Sequence, residues 1–319
     1  MKKIFIIAAA ACVTLASCVK NEPNAFVQGE GDAIVFDNPV TAPNVKAGVS
    51  EISDFPLNST FKVTSWLTAD ETFASTTPYF QNLVVTKGGT GWTYEGDTKY
   101  WPKSGYLHFS AFSPATVATG SFDQGGVLFT GYTVDTDVTK QIDLLYSERN
   151  TAKAGTVAMV FEHALSAINF TVTKGASEPE FVVKGISIAD INRVGPFDQN
   201  LDQSPATAGW TTTEPETYAV SMSNLTLTSA PLYAHNGDDE AGSVAALMLL
   251  PQDVEGKVVT VNYTMGGFDQ YSTFTLSGDW LPGKRYTYAI SFGVEGITFT
   301  ARVNDWVDDD VDAPTSTIN

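Results

Sequence analysis

Short segments in which apolar and polar residues alternate recur along almost the whole chain, the pattern of strands with one buried and one wet face. Residues 166–173 place Ile168, Phe170 and Val172 on one face and Asn169 and Thr171 on the other. Residues 257–264 set Val259, Val261 and Tyr263 against Val258, Thr260 and Asn262, and residues 284–292 set Tyr286, Tyr288, Ile290 and Phe292 against Arg285, Thr287, Ala289 and Ser291. Residues 298–303 repeat the alternation with Phe299, Ala301 and Val303. Further strands are predicted over 33–36, 60–67, 80–85, 106–112, 143–146, 157–161, 181–188, 218–227 and 244–250. Turns such as Lys87-Gly88-Gly89-Thr90-Gly91 and Asn236-Gly237-Asp238-Asp239 separate them. No segment keeps a helical period for more than about three turns. That argues against βαβ units and predicts an all-β chain of antiparallel sandwiches.

Length adds the division into units. At about 150 residues per domain, a chain of 319 residues holds two sandwiches. The polar segment 147–155 (SERNTAKAG) lies between the apolar Leu144-Leu145-Tyr146 and the strand at Val157. It marks a boundary between an N-terminal domain over 33–155 and a C-terminal domain over 156–319.

The first seventeen residues are read differently. Lys2 and Lys3, an apolar run and then small residues give the three-part layout of a secretory signal, too short to span a bilayer comfortably. Leu15-Ala16-Ser17-Cys18 resembles a bacterial lipobox, which makes residues 1–17 a lipoprotein signal peptide, Cys18 the acylated mature N-terminus and residues 18–32 a polar tether. The other cysteine, Cys12, is then discarded, so the mature chain has no disulfide, thiol nucleophile or Cys-ligated metal. Lys plus Arg is 18 and Asp plus Glu 36, a formal charge of −18. Such a chain lacks the positive charge of a nucleic-acid binder and is not drawn to an anionic bilayer.

The search for chemistry returns little. His108 and His163 lie in or beside strands, neither they nor His235 has a second ligand type at metal spacing, and no GxSxG elbow is present. Residues 278–284 match GxxxxGK, but Arg285 stands where Ser or Thr would hold magnesium and a strand follows where a helix is required. Asp135-Thr136-Asp137 and the acidic run 308–312 lack the glycine and closing glutamate of a calcium loop. Trp92, Tyr94, Tyr100 and Trp101 are the aromatics that would stack on sugar rings, against the alternative of core packing. No cofactor or metal and no catalytic activity is expected.

Six separated segments carry a resemblance. Tyr100-Trp101-Pro102 with Leu107-His108-Phe109-Ser110-Ala111-Phe112-Ser113-Pro114, Asp143-Leu144-Leu145-Tyr146-Ser147, the run from Phe161 through His163-Ala164-Leu165-Ser166 to Phe170, Leu249-Leu250-Pro251-Gln252, Trp280 through Pro282-Gly283-Lys284 to Tyr286 and Tyr288, and Val303-Asn304-Asp305-Trp306 follow one another in order. In these the chain resembles the Mfa-like fimbrillins, type V pilins of Bacteroidia. The resemblance implies two Greek-key, transthyretin-like β-sandwich domains. It also implies a lipid-anchored precursor at the outer membrane and cell surface, and assembly into a fimbrium with other pilin subunits. In that family a protease removes the first strand, and a donor strand from the next subunit fills the groove, which is β-strand addition.

Carried onto this sequence, the processing site is Lys46-Ala47, since the first arginine is Arg149. The donor is residues 297–306, with Phe299, Ala301 and Val303 matching the spacing of Ile34 and Phe36 in the vacated strand. The competing readings are that Lys46 is merely exposed and that residues 297–306 complete their own sandwich. The alternative function is a non-polymerising surface lipoprotein that binds a glycan or host protein. Stalk, tip and anchor roles stay open.

Overall fold

The computed structural model of the chain describes residues 31–37, 40, 41, 55, 57–74, 77–199, 210–234, 247–305 and 316–318. The predicted alternation becomes strands throughout. In chain order these are β1 (Val35–Phe36), β2 (Val40–Thr41), β3 (Thr60–Thr68), β4 (Pro78–Gly88), β5 (Gly91–Tyr94), β6 (Tyr106–Ser113), β7 (Gly120–Asp123) and β8 (Gly126–Thr133). A 3-10 turn at Val138–Lys140 precedes β9 (Leu145–Ser147), β10 (Asn150–Ala152), β11 (Thr156–Val157), β12 (Val160–His163), β13 (Ser166–Lys174) and β14 (Phe181–Asp198). The remainder is β15 (Thr213–Thr226), β16 (Leu232–Ala234), β17 (Leu247–Leu249), β18 (Gln252–Asp253), β19 (Val258–Met265), β20 (Phe268–Thr275), β21 (Asp279–Trp280), β22 (Lys284–Gly293), β23 (Gly296–Asp305) and β24 (Ser316–Ile318).

Two cores organise these strands. The first lies on one face of the sheet β2-β12-β9-β6-β3-β4-β5, where Phe61, Val63, Phe109, Ala111 and Phe161 are fully buried. Its other wall includes the β1-β11 pair and Trp101. The second core is filled from two six-stranded sheets. One is β16-β13-β22-β23-β24 with β17 on β13, and the other β20-β19-β14-β8-β7 with β15 on β14. The faces read from the sequence point inward here: Ile168, Phe170 and Val172, Val259 and Val261, and Tyr286, Tyr288, Ile290 and Phe292 are all buried. The β19-β20 hairpin turns through Gly266 and Gly267, at φ 59° and 83°, a two-residue turn in which both central positions are left-handed and glycine is therefore favoured.

Two features depart from expectation. Among the described residues pairing is antiparallel except at β1/β11, β2/β12 and β13/β22, the last over eight register pairs. Each parallel pair joins segments more than a hundred residues apart, so the long connection that parallel strands need is available. The polar segment 147–155, read as a boundary, is itself built into the sheets. Ser147 Oγ accepts the Ala111 N–H at 2.8 Å, and Asn150–Ala152 forms β10 on the edge of β6. Its polar residues are structural: Asn150 Nδ2 donates to Ala158 O, Thr151 bonds His108, and the Arg149 guanidinium lies 4.1 Å over the Phe73 ring. The sheets cross residue 155 in both directions, since β8 pairs with β14 while β12 pairs with β9 and β2.

Candidate functional site

The described parts of the N-terminal segment, residues 32–37 and 40–41, are inserted between elements that lie far from them in sequence. Ile34 N–H donates to Lys99 O at 2.8 Å, Trp101 N–H to Asp32 O at 2.9 Å, and Asp37 N–H to Val157 O at 3.0 Å. The segment therefore runs antiparallel to residues 99–101 on one side and parallel to β11 on the other. Period-two alternation decides what it buries: Ile34 and Phe36 are 1% and 3% exposed while Val35 between them is 50% exposed. Phe36 makes edge contacts with Phe61, Tyr94 and Phe109 at centroid distances of 5.5, 6.2 and 6.2 Å. Burying two such side chains is worth about 1.5–3 kcal/mol each. Tyr94 adds a polar clamp, since its hydroxyl donates to Ile34 O at 3.0 Å and accepts the Lys99 N–H at 3.2 Å. Four residues farther on, Val40 and Thr41 pair with Val160 and Phe161 on the edge of the large sheet.

The motif residues are architectural. Trp101, 5% exposed, packs on Phe109 and donates its indole N–H to Gly155 O. His163 Nδ1 meets Asp143 Oδ1 at 2.9 Å, and Tyr146 donates to Glu162 Oε2 at 2.7 Å. Burial raises the Glu162 carboxyl above its ordinary value, with the neighbouring Glu148 adding to the rise against the Tyr146 hydrogen bond. Gln252 is buried and ties β14 to the turn after β17: Oε1 accepts the Asn192 N–H, and Nε2 donates to Asn192 O and Leu250 O. In the Trp280 to Tyr288 hairpin the Tyr286 hydroxyl accepts the Leu281 N–H and donates to Asp279 O, and Trp280 Nε1 donates to the Tyr288 hydroxyl. Burial pushes the Tyr288 hydroxyl up to about 12, so it stays a neutral partner for the indole.

The residues singled out from the sequence scatter. Cys18, Lys46, Ala47, Trp306 and His235 lie outside the described residues. Phe299, Ala301 and Val303 sit in β23, partly buried against the second core and paired with β22 from Gly296 to Asp305. Phe299 is stacked between Phe274 and Tyr288, at 4.7 and 5.2 Å. Of the aromatics considered as sugar platforms, Trp92 and Trp101 are buried in the first core and offer no open face, because both complete the wall over Phe61 and Phe109. The GxxxxGK string is a tight turn into β22, with no helix to receive a phosphate. Asp135 Oδ1 accepts the Asp137 N–H, Lys140 pairs with Asp137 at 3.0 Å, and among the described residues no group of three His, Cys, Asp or Glu could hold a metal. Sequence reasoning passed over the Tyr94 clamp and the bridge to Tyr100 within residues 99–101; the Tyr100-Trp101-Pro102 motif was the signal for the latter.

The profile of a fimbrillin-like family matches residues 50–306, most of the chain. The chain belongs to the fimbrillin-like family. Solved structures agree on the fold. A candidate cell adhesion protein from Bacteroides ovatus superposes with a TM-score of 0.56 at 19% identity, over 87% of this chain and 98% of that one. Another from Bacteroides uniformis gives 0.54 at 19% identity, over 79% and 93%. A fimbrial protein from Bacteroides vulgatus gives 0.51 at 16% identity, over 77% and 92%. A search of curated proteins returned no match. Membership of this fimbrillin-like family gives the chain a fimbrial role at the cell surface, structural and not enzymatic.

Proposed function

We propose that this fimbrillin-like chain is a structural and adhesive pilus subunit, exported as a lipoprotein acylated on Cys18 and assembled by protease-triggered donor-strand exchange. The observation that carries the reading is the seating of the N-terminal segment. Ile34 and Phe36 are deeply buried, yet among the described residues the segment makes only short pairings, one bridge to Tyr100, two register pairs at β1 and two at β2. An element so placed can leave and be replaced by another strand with the same alternation, with backbone hydrogen bonds supplying affinity and Ile34- and Phe36-sized pockets supplying selectivity. The cleavage point in this reading is Lys46-Ala47, after β2 and before β3. The donor that the sequence offers is residues 297–306, whose transfer requires β23 to leave β22.

The test is limited proteolysis of purified full-length protein next to Lys46, read by native gels and electron microscopy. Cleaved protein is expected to form ladders or filaments, and Lys46→Ala protein to resist the cut and stay monomeric. Cleaved protein that remains monomeric under all conditions defeats the exchange mechanism and favours a non-polymerising surface lipoprotein.

A further inference from the structure

The outer edge of β4 is interrupted by a bulge that opens two clefts. Opposite Thr64 of β3 the strand carries two residues, Gln81 and Asn82, since Val63 pairs with Leu83 and Ser65 with Phe80. Asn82 takes a left-handed conformation, φ 54°, and its N–H is held by Thr64 Oγ1 at 3.0 Å. A bulge of this kind turns side chains out of the sheet, and bulges concentrate beside binding sites. Among the described residues β5 covers only Val85–Gly88 of the same edge. Beside Tyr79–Val84 lies a cleft of about 810 Å³ whose far wall is Tyr94, Glu95 and Lys99. On the other side of Gln81 and Asn82 is a cleft of about 270 Å³, floored by Trp66 and closed by Phe122, Asp123 and Gln124.

The closing wall is fixed before any ligand arrives. Gln124 also has a left-handed backbone, φ 44°, and its carbonyl accepts from Arg149 Nη2. The next carbonyl, of Gly125, accepts from Arg149 Nε and from Ser110 Oγ. A Cβ on Gly125 would meet the Phe73 ring at 2.4 Å, so only glycine lets the turn lie this close. The side-chain amides of Gln81, Asn82 and Gln124 have no hydrogen-bond partner among the described residues.

We infer that the Gln81–Asn82 bulge and the Asp123–Gln124 turn form a binding site for a neutral saccharide. Each planar amide presents a donor and an acceptor side by side, the arrangement that adjacent ring hydroxyls can engage together. The partly buried Phe122 supplies an apolar edge for the C–H face of a ring, with the buried Trp66 packed behind it at 6.2 Å. The larger cleft falls within the range of about 300–1,000 Å³ usual for ligand sites, and the smaller just below it, room for one ring. Charge selects a neutral ligand: Lys99 in the larger cleft is offset by Glu95, the smaller contains Asp123, and the chain as a whole carries −18. A peptide added as a strand is disfavoured at the same edge, because the bulge breaks the regular spacing of backbone groups on which strand addition relies. The inference extends the adhesive part of the proposed function. It is measured on the uncut monomer, so failure of binding and failure of assembly are scored separately.

The test is calorimetric titration of full-length monomer with mannan, arabinogalactan, a β-glucan oligosaccharide and neutral mucin O-glycans. Heparin, polygalacturonate and an extended Val/Thr peptide serve as contrasts. Saturable heat is expected with at least one neutral saccharide, weakened about tenfold or more in the triple variant Gln81→Ala, Asn82→Gly, Gln124→Gly, as loss of several hydrogen bonds requires. Glycine keeps the left-handed backbone, so the melting temperature should hold. Should it fall, the single exposed change Gln81→Ala, on an ordinary backbone, decides instead. Absence of heat with every neutral saccharide, heat only with the polyanions or the peptide, or binding that these variants leave intact overturns the inference.

Discussion

His108 illustrates how a buried polar residue is fixed by its neighbours. It is 1% exposed, with Nε2 at 2.7 Å from Thr68 Oγ1 and Nδ1 at 2.8 Å from Thr151 Oγ1. The single Thr68 hydroxyl proton is donated to Asp70 O, so Nε2 carries the ring proton and Nδ1 accepts from Thr151. A second proton, on Nδ1, would therefore reverse the Thr151 hydrogen bond, making the hydroxyl the acceptor. Burial, then the charge of Arg149, lowers the imidazole below its ordinary 6.5, and Asp70 opposes this only in part. The folded state thus binds fewer protons than the unfolded one. The stability contributed by the neutral ring is present above 6.5 and lost as pH falls from there toward the depressed folded value. Melting curves at about pH 7.5 and about pH 5 should show this acid loss. It should be smaller in His108→Gln, whose amide can donate to Thr68 and accept from Thr151 without titrating. Glu162, raised in the folded state, acts in the opposite direction but equally in both proteins, so parallel acid curves for the two would defeat the assignment.

At the scale of elements, β23 decides what residues 297–306 do in the free subunit. Replacing Phe299 and Val303 by Asp places carboxylates in the ring stack on Phe274 and Tyr288 and against the second core, at a cost of several kcal/mol. The expected outcome is a lower melting temperature of the uncut monomer. An unchanged monomer that no longer polymerises would instead make β23 a strand held for donation. Legibility in the sequence varied by element for physical reasons. Strands with one dry face, such as β22, announce themselves by alternation, whereas β13 keeps the sequence pattern although its first five residues, Asn169 among them, are buried on both faces. By contrast β20 went unseen, because Phe268, Tyr271 and Phe274 recur every third residue, and the first two are 73% and 71% exposed. The β7-β8 hairpin was hidden by Gly120, Gly125, Gly126 and Gly131, which suggest a loop when no partner strand is known. Parallel pairing of β1 with β11 carries no local signal at all. For the site, Ile34 and Phe36 were legible as a buried face, whereas the Tyr94 clamp and the Gln81–Asn82 bulge arise from tertiary register alone.

For the whole molecule, the crossing of sheets over residue 155 predicts interdependent halves. A chain ending at residue 155 lacks Val157, Met159 and Phe161 of the first core, all 0–1% exposed. It also retains Phe129 and Tyr132, whose sheet partner β14 is gone. Such a fragment is expected to bind a hydrophobic dye and to show no cooperative melt by circular dichroism. The intact chain should unfold in a transition that carries both cores together. A fragment with a sharp melt and native dispersion would show that the N-terminal sheet stands without the strands beyond residue 155.

The parallel seating of the N-terminal segment also has a mechanical consequence. Between Phe36 and Val40 this segment advances four residues while its partner advances three, from Val157 to Val160, so the two short pairings are separate and not one continuous ladder. A pull along the strand axis, from a tether at its leading end against the body of the subunit, loads the bonds of each pairing at once, in shear. A pull across that axis opens them singly, as a zipper does. The same few hydrogen bonds are thus strong toward an anchor and weak toward a lateral intruder, so the segment can hold under tension and still yield to a strand arriving from the side.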